Sequence, residues 1–413
     1  MKNYKRFLAL LITLVTLMSL VSCNLDFDIY DDLFNGNLPD LDEGDDDFKF
    51  PDFGIFDDTI ESDNYGDFYP ESGQESIENV SPITKNLLST VTIVSDFGTA
   101  AGAGSGVFYS VDKKNGDAYV ITNYHVVYTA DYEQADTINL YLYGMELSSY
   151  AIPATLLGGS ITYDIAVLKV EGSDVIKNSY AIPANFADSD LVRVFDRVYA
   201  VGNSEANGMS ATEGIVNVES ESLQLEGADG KLITLRVLRF DAAVNHGNSG
   251  GGLYNQNGRL IGIVSAKDVS ADVDNMGYAI PSNLVRLLVD NIIYNCNGHD
   301  KINVVKALMG ITITSYVSGL DINEETGDVS QVELVEVIEI TKNSLADGKI
   351  LVGDVINSIS INGQTHKVTK IHHVTDLMLS AHVGDTVNLN ITRDGSAVTL
   401  SFIITEDAMS QVK

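Results

Sequence analysis

The chain has 413 residues, enough for two compact domains that each bury a sizeable core. Its formal charge is −33, with 58 acidic against 25 basic side chains, which excludes nucleic acid and an anionic membrane surface as natural partners. Two cysteines, Cys23 and Cys296, exclude a disulfide-dense scaffold.

At the N-terminus, Lys2, Lys5 and Arg6 precede an apolar stretch from Phe7 to Val21 that is too short for a comfortable spanning helix. It closes on Leu20-Val21-Ser22-Cys23. Small residues before a cysteine at such a point resemble a bacterial lipobox. That resemblance implies cleavage before Cys23, lipid on its thiol, and a place on the extracytoplasmic face of a bacterial membrane. The alternative is a plain signal peptide or signal anchor with an incidental cysteine. If Cys23 is lipidated, Cys296 is a leftover thiol with no activating surroundings in the sequence.

Residues 24–80 read as a disordered acidic tether. Nineteen acidic side chains and one lysine, Lys49, fall between Asn24 and Asn79, broken by Gly36, Pro39, Gly44, Pro51 and Gly54. Such a segment cannot bury enough surface to offset its ordering entropy. A calcium loop starting at Asp40 fails, because its sixth position is Asp45 instead of glycine and its twelfth is Pro51 instead of glutamate.

From Ser81 the chain turns to short β-rich runs. Strands are predicted at residues 91–94, 106–109, 118–122, 138–142, 165–170, 197–201, 232–240, 260–265 and 277–280. Many short strands with almost no helix predict an all-β barrel or sandwich. One helix closes the region, with Ser282 as its expected N-cap, Leu284, Val285, Leu288 and Ile292 on one face, and Asn297-Gly298 as its stop. After Lys301 a smaller α+β module follows. Its predicted strands are 309–314, 332–340, 355–361, 387–392 and 397–404, and its short helical segments are 343–347 and 370–381.

Three segments carry chemistry. His125 ends a strand in Ile121-Thr122-Asn123-Tyr124-His125-Val126-Val127, Asp164 precedes the apolar run Ile165-Ala166-Val167-Leu168, and Ser249 lies in Asn245-His246-Gly247-Asn248-Ser249-Gly250-Gly251. A serine hydroxyl is a poor nucleophile until a neutral imidazole takes its proton. Ser249 would therefore attack, with His125 as base and then acid. Asp164 would hold the imidazole tautomer. Backbone N–H groups of Gly247 and Ser249 would converge on the developing oxyanion. The order His, Asp, Ser is that of chymotrypsin-like proteases.

Together with Gly104-Ser105-Gly106-Val107, Asp241-Ala242-Ala243-Val244-Asn245 and Gly277-Tyr278-Ala279-Ile280-Pro281, these segments resemble the HtrA/Deg family of trypsin-like serine proteases. The resemblance implies a mainly β chain: a chymotrypsin/trypsin-like double β-barrel of six strands each over 81–298, then a smaller α+β PDZ domain over 299–413. It also implies an endopeptidase acting on misfolded polypeptides in the cell envelope, assembled as a homotrimer or larger homo-oligomer. Leu308-Met309-Gly310-Ile311 is similar to the PDZ loop that receives a peptide's C-terminal carboxylate. A catalytically idle chaperone or peptide-binding scaffold of the same fold is the rival reading, and a ligand-binding lipoprotein would leave the serine motif unexplained.

Two residues depart from the family's pattern. His246 and Gly252 stand where the family usually has proline, so a looser oxyanion loop is expected. Ala243, six residues before Ser249, is expected to floor the primary pocket, with Val264, Ser265 and Ala266 as a wall. No carboxylate sits there, so small or medium aliphatic P1 residues are expected over basic ones. The sequence carries no metal pairing around His372-His373, no cofactor fingerprint and no P-loop.

Overall fold

The computed structural model describes residues 77–145, 148–204, 207–265, 276–296, 302–322, 324, 327 and 329–412. The expected export signal, Cys23 and the expected acidic tether up to residue 76 lie outside the described residues; of the last four positions of that expected segment, Ile77–Asn79 form a 3-10 turn.

The first sheet comprises β1 (Thr90–Asp96), β2 (Ala101–Asp112), β3 (Asp117–Thr122), β6 (Thr137–Leu142), β7 (Ile152–Ser160) and β8 (Ile165–Val170); β4 (Tyr128–Thr129) and β5 (Glu133–Gln134) form a small separate hairpin. In the order β7-β6-β1-β2-β3-β8, with β8 returning to pair β7, six strands close on themselves. A second closed barrel follows from β9 (Arg197–Gly202), β10 (Ser210–Glu226), β11 (Leu232–Phe240), β12 (Gly252–Asn255), β13 (Leu260–Val264) and β14 (Gly277–Pro281). Both six-stranded barrels expected from the resemblance are therefore present.

β8 is apolar without alternation because both of its faces are covered. Ala166, Leu168 and Val170 point into the first barrel's core. Ile165 and Val167 meet Leu284, Val285, Leu288, Val289 and Ile292 of the helix Ser282–Asn295. A strand buried on two sides loses the period-two signal. The helix has the face the sequence predicts, but Ser282 does not cap it: Pro281 precedes the first turn, and Ser282 Oγ donates to the Ala187 carbonyl.

The remaining strands are β15 (Ile302–Ala307), β16 (Ile311–Ile322), β17 (Val329–Ile340), β18 (Val355–Ile361), β19 (Gln364–Lys367), β20 (Thr386–Arg393), β21 (Ser396–Ile403) and β22 (Met409–Val412). β16, β17, β18, β20 and β21 form one sheet around a core that includes Val335, Val337, Ile359, Leu389 and Phe402. The helix Ile371–Leu377 contributes Val374 to it. Residues 343–347, expected to be helical, form turns. The boundary near 299 is not clean. β15 pairs in parallel with β7 through Ile302 and Asn303, and β22 pairs with β15, so two strands of the second module extend the first sheet. Among the described residues no helix is long and apolar enough to cross a membrane.

Candidate active site

β3 ends at Thr122, and a single helical turn, Tyr124–Val127, carries His125. Asp164 sits at the mouth of β8 with a φ of +50°, in the left-handed region that aspartate enters more readily than most residues. Its carboxylate faces the histidine. His125 Nδ1 lies 2.8 Å from Oδ2 and 3.0 Å from Oδ1, and the His125 backbone N–H donates to Oδ1 at 3.1 Å. Asp164 is 1% exposed. A buried carboxylate against Nδ1 holds the proton there and leaves Nε2 with a lone pair, the tautomer a general base requires.

Ser249 belongs to a loop bound to the first barrel. Its carbonyl accepts the Ser105 N–H at 2.8 Å, and the Gly250 N–H reaches the Val264 carbonyl at 2.9 Å. A β-carbon placed on Gly104 would stand 2.6 Å from Val126 Cγ1 and 3.3 Å from the Ser249 carbonyl, so the serine and histidine segments abut the same point of β2. Gly250, at φ +85°, passes so close to Ser105 that a β-carbon would meet the latter's carbonyl at 2.1 Å. No residue with a side chain could thread that gap. Folding thus brings the His125, Asp164 and Ser249 segments next to one another.

The loop around Ser249, where His246 and Gly252 stand in place of proline, is hydrogen-bonded at several points. Gly247, at φ +92°, turns its carbonyl onto Ser105 Oγ at 2.7 Å, and that oxygen accepts the Asn203 N–H at 2.8 Å. The Asn248 N–H closes the turn on the Asn245 carbonyl at 3.1 Å. Gly252 is the first residue of β12 and is held by ladders to β9 and β13.

The expected pocket wall needs correction. Val264 is packed into the second barrel's core, and Ser265 turns its hydroxyl to Asp164 Oδ2 at 3.3 Å. Ser265 is therefore a partner of the carboxylate, a role its sequence position did not reveal. Ala243 is exposed, its carbonyl accepting from Thr212 Oγ1 at 2.7 Å, and Ala266 lies outside the described residues. In the second module Met309 is buried, Gly310 takes φ +78°, and Ile311 opens β16. The Leu308 N–H is already given to the Ala408 carbonyl at 2.8 Å.

His372 and His373 meet a partner the sequence did not suggest. Their Nε2 atoms each lie 3.4 Å from a different oxygen of Asp190, whose side chain is 35% exposed. The three ligating atoms fall within 4.8 Å of one another. The Thr369 N–H, however, donates to His373 Nδ1 at 3.2 Å, which leaves that ring's proton on Nε2, where a metal would have to bind. The chemistry is that of a carboxylate clasped by two imidazoles. Burial opposes the Asp190 charge, but the adjacent His372 and His373 side chains outweigh it and hold the carboxyl well below its usual range. Burial pushes His372 down, with the Asp190 hydrogen bond opposing. Beside this clasp Arg236 pairs with Asp376. Tyr163, next to Asp164, has its hydroxyl pushed up to about 12 by burial and by Asp376, against Arg236.

Two barrels, with a histidine held by a buried carboxylate and a glycine-flanked serine segment beside it, define a trypsin-like serine peptidase. Residues 104–263 match the family model described as a trypsin-like peptidase domain. The chain is 33% identical over 312 residues to the serine protease Do-like HtrA of Lactococcus lactis subsp. cremoris, covering 72% of this chain and 69% of that protein. It is 32% identical over 316 residues to the periplasmic serine endoprotease DegP of Salmonella typhimurium, covering 75% of this chain and 58% of the relative, so it spans less than two thirds of that one. A solved HtrA-type protease, AlgW with a tripeptide, superposes with a TM-score of 0.53 at 24% identity over 78% of this chain and 95% of the other, a likeness of fold. The chain belongs to the HtrA family of serine proteases, and its activity is that of a serine endopeptidase.

Proposed function

We propose that Ser249 is the nucleophile, His125 the general base and acid, and Asp164 the residue that orients and stabilises the imidazole. The observation that carries this reading is the grip of the buried Asp164 on His125 Nδ1, at 2.8 and 3.0 Å, beside the Ser249 loop. The hydroxyl adds to the scissile carbonyl as its proton passes to His125 Nε2. The tetrahedral oxyanion is received by the Gly247 and Ser249 N–H groups, and collapse expels the amine with the proton from His125. Water then repeats the sequence on the acyl-enzyme.

The same reading places the protein at the cell envelope, tethered through Cys23 and the acidic segment, which acts as a spacer. There it degrades unfolded or misfolded polypeptides without ATP, as a homotrimer or larger assembly. The module after residue 299 acts as a PDZ domain that takes peptide C-termini at Met309, Gly310 and Ile311.

The test is casein degradation and fluorophosphonate labelling by the soluble protein, wild type against Ser249→Ala. Loss on the order of 10⁶ in turnover, with labelling abolished, is expected. Retained casein degradation in Ser249→Ala would overturn the assignment, and an unlabelled, inactive wild type that still suppresses aggregation would favour the idle-scaffold reading.

A further inference from the structure

We infer that Asn123 is a positioning residue for the hydrolytic reaction, acting through Asp164; the inference rests on the triad reading above. Asn123 occupies the cap position before the turn that carries His125, with extended backbone angles (φ −75°, ψ 149°), yet its side chain makes no cap hydrogen bond. An asparagine there would ordinarily accept an N–H from the first turn. Instead the side chain is wholly buried, and Nδ2 donates across the cleft wall to the Asp164 carbonyl at 2.9 Å.

That contact closes a reciprocal clamp. Segment 123–125 holds both ends of Asp164: the Asn123 amide takes its carbonyl, while the His125 N–H and Nδ1 take its carboxylate. The hold offsets a backbone cost, because Asp164 sits at φ +50°, a left-handed conformation that aspartate reaches more readily than most residues but that is still strained. Relaxation to an ordinary φ would swing the carboxylate away from His125 Nδ1. The amide orientation is set by chemistry, since reversing it would oppose two oxygens. In the orientation found, Asn123 Oδ1 is buried and makes no hydrogen bond among the described residues, while Nδ2 is committed to the Asp164 carbonyl.

The experiment compares Asn123→Asp, which is isosteric but lacks the donor, and Asn123→Ala with wild type on a chromogenic peptide. Each is also made in an Asp164→Asn background. The expected result is a kcat lowered about 10- to 100-fold with KM nearly unchanged, and an acidic limb of the kcat profile displaced from that of wild type. In the Asp164→Asn background the Asn123 changes should add less than about twofold, because the residue they act through is already disabled. Full multiplicative loss in that background, or a KM effect alone, would overturn the inference. If both single variants fail to fold, the low-field proton resonance of His125 Nδ1–H is followed in wild type and in Asn123→Ser, whose hydroxyl is too short to bridge; an unchanged resonance overturns the inference. His125→Ala separates the two readings. Activity surviving there sinks the triad, whereas an inactive His125→Ala beside fully active Asn123 variants sinks only this inference.

Discussion

Ser265 Oγ donates to Asp164 Oδ2 across 3.3 Å, so the second barrel holds the carboxylate that the first barrel turns toward His125. Asp164 is thereby held from both barrels, its carboxylate meeting the His125 N–H, His125 Nδ1 and Ser265 Oγ. Replacing Ser265 by alanine removes one donor to a buried anion, worth about 1.5–3 kcal/mol. A kcat lowered on the order of tenfold is expected, with a smaller change in KM, measured by steady-state kinetics on a short peptide.

Gly250→Ala tests the approach of the nucleophile loop to β2. The added carbon would lie 2.1 Å from the Ser105 carbonyl and 2.3 Å from Thr122 Oγ1, at a φ of +85°. A loss of at least about 2 kcal/mol is expected, together with loss of activity in the folded fraction. The urea midpoint and fluorophosphonate labelling report the two effects separately.

Acid should loosen the junction at Asp190. Its pKa is lowered on folding, so its contribution is present above the unfolded value and is lost as pH falls through the folded one. His372 is also lowered, so its protonation penalises the folded state below the unfolded histidine value. Both signs agree: the unfolded chain binds more protons, and stability falls on acidification. Denaturant midpoints should decline in wild type from neutral to mildly acid pH, where His372 acts, and further below the ordinary carboxylate range, where Asp190 acts. Both declines should flatten in the double variant Asp190→Asn, His372→Gln. A flat wild-type profile would show that the clasp carries no linkage.

On the expectation that Ala243 floors the primary pocket, specificity should favour small or medium aliphatic P1 residues, because alanine carries no carboxylate to pair with a basic side chain. A peptide library should show weak cleavage after Arg and Lys. Preferential cleavage after Arg would place an acid in the pocket that Ala243 does not supply.

Local sequence determined the strands with apolar runs, the covering face of the helix Ser282–Asn295, and the three segments bearing His125, Asp164 and Ser249. Hydrophobic pattern and residue chemistry are local properties, and they survive in a one-dimensional reading. The long β10 escaped that reading because its Ser and Glu residues alternate with half-buried apolar ones and bury little. β15 and β22 escaped as extensions of the first sheet, because strand pairing depends on partners remote in the chain.

Only the tertiary structure decided that Ser265 serves Asp164 instead of walling a pocket, that Val264 belongs to the barrel core, and that Ser105 Oγ hydrogen-bonds the Gly247 carbonyl. It alone brought Asp190 between His372 and His373. Each of these is a contact between residues far apart in sequence, and its energy comes from a direction and a distance that no residue carries alone.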